Sequence, residues 1–218
     1  MRYLYLLFIQ LFILQASFGQ SNTDPFKNQK QAVLILPQYA AVSGIRIDYE
    51  RKLKDSNKWL IFSPQVYFSN TNDNFTGFDE LRGIGLNLYY KKFLHYSVKE
   101  NPNGLPRVSL YFSTGPTYQS FSLIDIEQVP VEYTEEDVSY IRFEEGKVKT
   151  RINRLGADAN FGLQLNFSNF ILNPYGGIGL RYSMDEEGNL VDFFNDEWID
   201  FGYSGIILTG GVRLGFFI

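Results

Sequence analysis

His95 is the only histidine in the chain. It stands two residues before Ser97, and His95-Tyr96-Ser97 is the one place where a side-chain base could activate a hydroxyl nucleophile. Without that histidine no His-assisted nucleophile exists. The absence of Cys removes disulfides and thiolate metal sites. Gly176-Gly177-Ile178-Gly179 is glycine-rich but opens no helix, so it is not read as a nucleotide-binding loop. No catalytic residue, resident metal or cofactor is expected from these residues.

The carboxylates are more concentrated. Asp125, Glu127, Glu132, Glu135, Glu136, Asp137, Glu144 and Glu145 lie in one stretch, and Asp185, Glu186, Glu187, Asp192, Asp196, Glu197 and Asp200 in another. Together they hold fifteen of the 24 Asp and Glu residues. Hard divalent cations such as Ca²⁺ or Mg²⁺ bind clustered oxygens, so such an acidic patch could bridge to a phosphate-bearing surface. The spacing matches no defined calcium loop, and a solvated anionic surface is the preferred reading. Phe193, Phe194, Trp198, Phe201 and Tyr203 interleave with the second stretch, as an interfacial aromatic girdle or as a contact patch. A formal net charge of −4, which becomes −5 once Arg2 is removed with the leader, argues against nucleic acid as a partner.

These groups must be positioned by strands. Ile206, Leu208, Val212, Leu214, Phe216 and Ile218 alternate with Ile207, Thr209, Gly211, Arg213 and Gly215 up to the last residue. That is the two-residue period of a barrel wall with one face to lipid. Leu155, Ala157, Ala159, Phe161, Leu163, Leu165 and Phe167 alternate in the same way with Gly156, Asp158, Asn160, Gly162, Gln164 and Asn166. The pattern predicts eight strands: Gln31–Pro37, Ser43–Leu53, Lys58–Ser69, Leu81–Leu94, Arg107–Ile124, Lys149–Asn166, Phe170–Met184 and Tyr203–Ile218. Val129–Phe143 is a further hairpin candidate, raising the count to nine or ten while leaving eight in the wall. Long connections (Asn70–Glu80, Asp125–Val148, Asp185–Gly202) alternate with tight ones (Lys54–Asn57, Ser168-Asn169). Pro37–Val42 is short for an outer loop and His95–Pro106 long for an inner turn. Pro64, Pro116 and Pro174 fall within strands, where a bulge or strand end is expected.

The fold class is therefore all-β, an antiparallel up-and-down transmembrane barrel. Aromatic residues make up 17% of the chain, enough for interfacial girdles. A mean hydropathy of −0.17 suits a wall in which only every second residue meets lipid. Met1-Arg2 followed by the apolar run Tyr3–Leu14, with small Ser17 and Gly19 before Gln20, predicts a cleaved secretory signal over residues 1–19. The run is too short to span a bilayer as a helix. Residues 20–30 follow as a periplasmic segment, and 31–218 form the barrel. No Cys stands at the cleavage site, so a lipid anchor is not expected.

On this pattern Arg46, Asp48, Glu50, Lys91, Asp158, Arg181 and Arg213 point inward. An eight-stranded barrel has an interior that side chains fill, so the seven are read as a charge network that plugs it. A proton, ion or small-solute path is the sharper alternative. Arg51, Lys52, Lys54, Lys58, Lys91, Lys92, Lys99 and Arg107 gather at the inner turns, facing inner-leaflet headgroups or solvent.

Three stretches, Tyr49-Glu50-Arg51-Lys52-Leu53, Asn173 through Tyr182, and the terminal strand, make the chain resemble the small outer-membrane β-barrel family of Gram-negative bacteria, of the OmpA-like kind. The resemblance implies an exported, monomeric barrel in the cell outer membrane, in contact with its lipid. It also implies that the C-terminal strand, with Gly211, Leu214, Phe216 and Ile218, engages the barrel-assembly machinery. Members commonly have no assigned activity. The peptidoglycan-binding domain that some carry is absent from this sequence, so a tethering role does not carry over. The His95-x-Ser97 spacing also resembles that of lipid A deacylase barrels, but it falls at the opposite end of this chain's topology. A structural or surface-interaction protein is thus the leading reading. A transport or hydrophobic-ligand barrel comes second and a lipid-modifying hydrolase third. A lipocalin-like soluble carrier would turn its apolar faces inward instead.

Overall fold

The computed structural model describes residues 29–54, 57–69, 79–96, 106–135, 138–191 and 200–218. The signal segment, Ser97, Lys99, Glu136, Asp137, Phe193, Phe194 and Trp198 lie outside them.

Alternation of apolar with polar or small residues yields eight strands, β1 (Gln31–Ile35), β2 (Gly44–Lys52), β3 (Lys58–Ser69), β4 (Glu80–Tyr96), β5 (Arg107–Glu135), β6 (Val138–Phe167), β7 (Phe170–Met184) and β8 (Gly205–Phe217). Each pairs antiparallel with its neighbours in sequence, and β1 pairs with β8 from Ala32↔Phe217 to Ile35↔Leu214, closing the ring. Both ends of the ring sequence therefore meet at one seam. The chain turns tightly at Lys54 and Ser168, both with positive φ, at the end that also carries the two termini of the ring.

Three expectations change. Residues 125–135 and 138–148 are not a loop. They extend β5 and β6 into one continuous ladder, from Asp125↔Val148 to Glu135↔Val138, so the hairpin adds length and no strand. β1 ends at Ile35 and not at Pro37, and Pro37–Val42 forms a 3-10 segment. The prolines cause neither a bulge nor a strand end. Registers hold constant across Pro64, Pro116 and Pro174, while pairing lapses for two residues on one side. The lapses fall between Arg46↔Gln65 and Tyr49↔Phe62, Asn87↔Thr117 and Tyr90↔Thr114, and Gly162↔Tyr175 and Leu165↔Leu172. Each missing N–H removes a ladder bond without shifting the strands. The register shift between β4 and β5 lies elsewhere, at Phe93/His95.

The wall is inverted relative to a soluble barrel. Ile45, Phe62, Phe68, Ile84, Phe161, Ile178, Leu208 and Phe216 are exposed on the outside, whereas Arg46, Asp48, Glu50, Lys91 and Arg213 are buried inside. The apolar faces thus point outward, away from any lumenal ligand, against the lipocalin-like alternative.

Inside, the polar layer is bounded by two apolar ones. Ala32, Leu34, Trp59, Phe93, Tyr111, Ile171 and Phe217 pack together at the end with the tight turns. Tyr67, Leu81, Phe121, Leu123, Ile152 and Val191 pack at the opposite end, joined by Tyr39 and Phe201. Trp59 meets Phe93 edge-on at 6.3 Å and Phe201 meets Phe121 at 4.7 Å, separations at which aromatic pairs contribute about 0.5–1.5 kcal/mol beyond their area. Val191 and Phe201, on either side of residues 192–199, reach that mouth from the ends of the β7–β8 connection.

Candidate functional site

The charged layer is built from inward positions on β2, β4, β6, β7 and β8. Asp48 is at its centre. Arg46 Nε donates to Asp48 Oδ1 at 2.7 Å and Nη2 to Oδ2 at 3.2 Å, the two-pronged geometry that suits guanidinium and carboxylate. Two residues along the same face, Glu50 Oε2 accepts from Lys91 Nζ at 2.7 Å, and Lys91 also donates to Gln164 Oε1 at 2.7 Å. Arg213 lies between the carboxylates, with Nε 3.1 Å from Asp48 Oδ2 and Nη1 4.0 Å from Glu50 Oε1. Its N–H groups are not aligned for hydrogen bonds despite those distances. Its guanidinium instead lies 4.2 Å from the Tyr175 ring centroid, a cation–π contact that partly offsets desolvation.

A second pair completes the layer. Arg181 Nη1 donates to Asp158 Oδ1 at 2.6 Å, and the Tyr89 hydroxyl donates to Oδ2 at 2.6 Å. The Arg46 guanidinium lies 5.5 Å from the Tyr89 ring centroid, so Tyr89 connects the two groups. The seven charged residues named from the sequence thus form one set of five and one of two. Buried charges persist only when paired, and removing one partner of such a pair costs about 3–5 kcal/mol.

Aromatic and amide side chains tie this layer together, and polarity alone did not single them out. Tyr111 OH donates to Asn173 Oδ1 at 2.6 Å, and its ring lies 4.5 Å from Lys91 Nζ. Tyr67 OH donates to Gln65 Oε1 at 2.6 Å, and Gln119 Nε2 donates to the Tyr67 hydroxyl at 2.8 Å. Their strand parity placed them inward; their apolar bodies gave no hint of a polar role. Tyr39, which receives Arg46 Nη1 at 3.0 Å, comes from the 3-10 segment and had no strand signal.

The other named groups are dispersed. Lys91 belongs to the interior and not to the basic rim, whereas Arg51, Lys58 and Lys92 are exposed at the tight-turn end, with Lys58 directly opposite Lys92. His95 is on the last turn-proximal residues of β4, opposite Leu110. Gly211 faces the lumen, and Phe216 and Ile218 are exposed outside. Leu214 opposes Ile35 at the seam.

Among the acids, Asp185 organises its own turn. Its Oδ1 accepts the N–H groups of Glu187 at 2.9 Å and Asn189 at 2.8 Å. Desolvation acts to raise the Asp185 pKa, but hydrogen bonds from Asn189, Glu187 and Gly188 hold it below the ordinary carboxylate value. Glu186 pairs with Arg151 Nη1 at 2.9 Å, and Glu187 accepts from Asn189 Nδ2 at 3.3 Å. Glu135 ends β5. No cluster of three or more His, Asp or Glu side chains is placed to hold a metal ion among the described residues.

No family model, curated protein or solved structure matches the chain.

Proposed function

We propose that this is an exported, non-conducting eight-stranded barrel of the Gram-negative outer membrane, with a structural or surface-interaction role and no catalysis of its own. The observation that carries the reading is the inverted wall, with apolar side chains exposed outside and paired charges inside. In water such a surface would associate; in lipid it is solvated, and the antiparallel ladder satisfies the backbone.

The tight-turn end faces the periplasm on this reading, where exposed Arg51, Lys58 and Lys92 meet phospholipid headgroups. The opposite end, with the acidic β5–β6 hairpin, faces outward. Support for a sealed wall comes from Asp48, Lys91, Asn173 and Arg213, each fully buried at 0% exposure. Side chains packed so closely leave no water-filled path beside them. The projecting hairpin supports surface interaction, since among the described residues no other strand pairs with β5 beyond Ile124 or with β6 above Asn153.

Heat-modifiable gel migration of protein from isolated outer membranes, with protease treatment of intact cells alongside, tests the proposal. A folded, detergent-requiring band cut only in the hairpin or the β7–β8 connection is the expected result. A water-soluble species with no migration shift would overturn it.

A further inference from the structure

The ring closes through only a short stretch of β1. Ile35↔Leu214 is its last pair with β8, although β8 continues to Gly205 and keeps its β7 ladder to Arg181↔Gly205. Successive residues of an antiparallel strand direct their N–H and C=O groups to opposite neighbours. Ile218 donates to Gln31 of the β1 side, and Phe217 to Asn169 of the β7 side. Even-numbered β8 residues therefore present their backbone to β1, and Val212, Gly210, Leu208 and Ile206 present theirs to the stretch above it. The next ladder position opposite Val212 belongs to Pro37, which has no N–H to give. There the chain leaves the wall and becomes the 3-10 segment.

That segment covers the seam with side chains. Gln38 Nε2 donates to Tyr175 OH at 3.4 Å, and Tyr39 packs against Tyr67 at 6.1 Å. Among the described residues no backbone hydrogen bond joins it to β8; the Tyr39 N–H donates to Leu36 O and the Ser43 N–H to Ala40 O, within the segment and its flanks. The unpaired edge is also at the depth of the apolar belt, because Ile206 and Leu208 are 66% and 71% exposed on the outer surface. Across the seam, β2 continues to Gly44. With β1 absent at that height, the 3-10 segment and not a strand stands between the two edges.

We infer that the seam between β8 and β2 is a docking site for one extended polypeptide strand of a partner membrane protein. This rests on the membrane reading above: inside hydrocarbon an open sheet edge goes unsatisfied, and an acyl chain has no groups that could pair with it. The strand that fits alternates apolar side chains toward lipid with small or polar ones toward Gly211 and Thr209, the same pattern as the wall itself. Docking requires the 3-10 segment to yield its place beside Gly211.

The test is residue-resolved amide exchange of the full mature chain in phosphatidylcholine nanodiscs, with and without an end-capped synthetic peptide of alternating Val and Thr. Without peptide, the amides of Ile206, Leu208, Gly210 and Val212 exchange fast while those of Ile207, Thr209 and Gly211 are protected. With peptide, the first set slows by at least about tenfold. Leu208→Pro, which removes a seam-side donor and leaves the β7 ladder intact, weakens that protection. Protection of all these amides in the protein alone overturns the inference, as does peptide that protects none of them. Protection that appears with protein concentration and no peptide assigns the seam to a second copy instead. A chain that fails to enter nanodiscs overturns the membrane reading separately.

Discussion

The side chain of Gln38 occupies the space that any side chain on Gly211 would need. A Cβ built on Gly211 would overlap the Gln38 carboxamide, and φ at Gly211 is 154°, where L residues are strained. Gly211→Val should therefore destabilise the barrel by about 1–3 kcal/mol through overpacking and backbone strain. Urea unfolding in detergent micelles reads the change. Gln38→Gly in the same chain should recover part of the loss by removing the clash, and equal instability of the single and double variants would show that strain alone is responsible.

Arg213→Ala leaves the buried Asp48 and Glu50 short of a cation. A loss of about 3–5 kcal/mol is expected. Arg142→Ala removes an ion pair with Glu144 that is 68% exposed on the arginine side, and such pairs contribute about 0–1 kcal/mol. Indistinguishable unfolding curves for the two variants would remove the interior layer from the stability account.

Lys91 and Glu50 should show strong coupling because each is the other's direct partner at 2.7 Å with essentially no solvent contact. Lys91→Met alone strands the Glu50 carboxylate; Glu50→Gln alone strands the ammonium. The double variant should be less destabilised than the sum of the singles, by about 0.5–3 kcal/mol in a mutant cycle. Additive effects would mean that Gln164 and the surrounding rings, and not Glu50, hold the lysine charge.

Legibility from sequence tracked the presence of one apolar face. β3 and β7 have the boundaries that alternation gave, since turn residues flank both and one face is continuous and oily. Residues 125–148 read as a loop because both faces of that ribbon are wet: Glu127, Glu132, Glu144 and Glu145 interrupt any two-residue hydrophobic period. The 3-10 segment was invisible for a related reason, as Pro37 stops a strand without specifying the backbone beyond it. In the charged layer, strand parity identified which residues turn inward. Their pairing was not legible, because Lys91 meets Glu50 across two strand interfaces, at a height set by registers that no local pattern encodes. The two aromatic layers were hidden by the polarity rule itself, which assigns Trp59, Phe93 and Phe217 to lipid when their parity puts them inside.

Acid should loosen the β7–β8 connection before it affects the wall. The folded Asp185 carboxyl has a lowered pKa, so its turn is stabilised at pH above the ordinary value of 3.8 and loses that contribution as pH falls through the lower folded value. The protection of the Glu187 and Asn189 amides relative to free amides at the same pH should fall across that acid window while β7 amides stay protected. Asp185→Asn should give protection at these amides with little dependence on pH in the same range. Unchanged protection of Glu187 and Asn189 in acid would transfer the turn's stability to its backbone bonds, from the Asp185 N–H to Asn189 O and from the Gly188 N–H to Asp185 O.

The β5–β6 hairpin should be removable. Beyond Ile124 its β5 strand has no pairing with β4, and above Asn153 its β6 strand has none with β7. Among the described residues, the contacts that tie residues 126–147 to β4 and the residue before it include the Ile126 N–H to Asp79 Oδ2 at 2.9 Å and Lys147 Nζ to Glu80 Oε1 at 3.1 Å, both exposed. Isolated two-stranded ribbons are marginal in water, so this one adds little to the wall that carries it. Replacing residues 127–146 by a short Asn-Gly turn should leave the unfolding midpoint of the barrel in detergent nearly unchanged. Trypsin added to intact cells should cut the native chain at Arg142 and leave the shortened one whole. A shortened chain that no longer shows heat-modifiable migration would mean that the hairpin is needed to form the barrel, and its long ladder would then be read as part of the folding nucleus and not as a projecting arm.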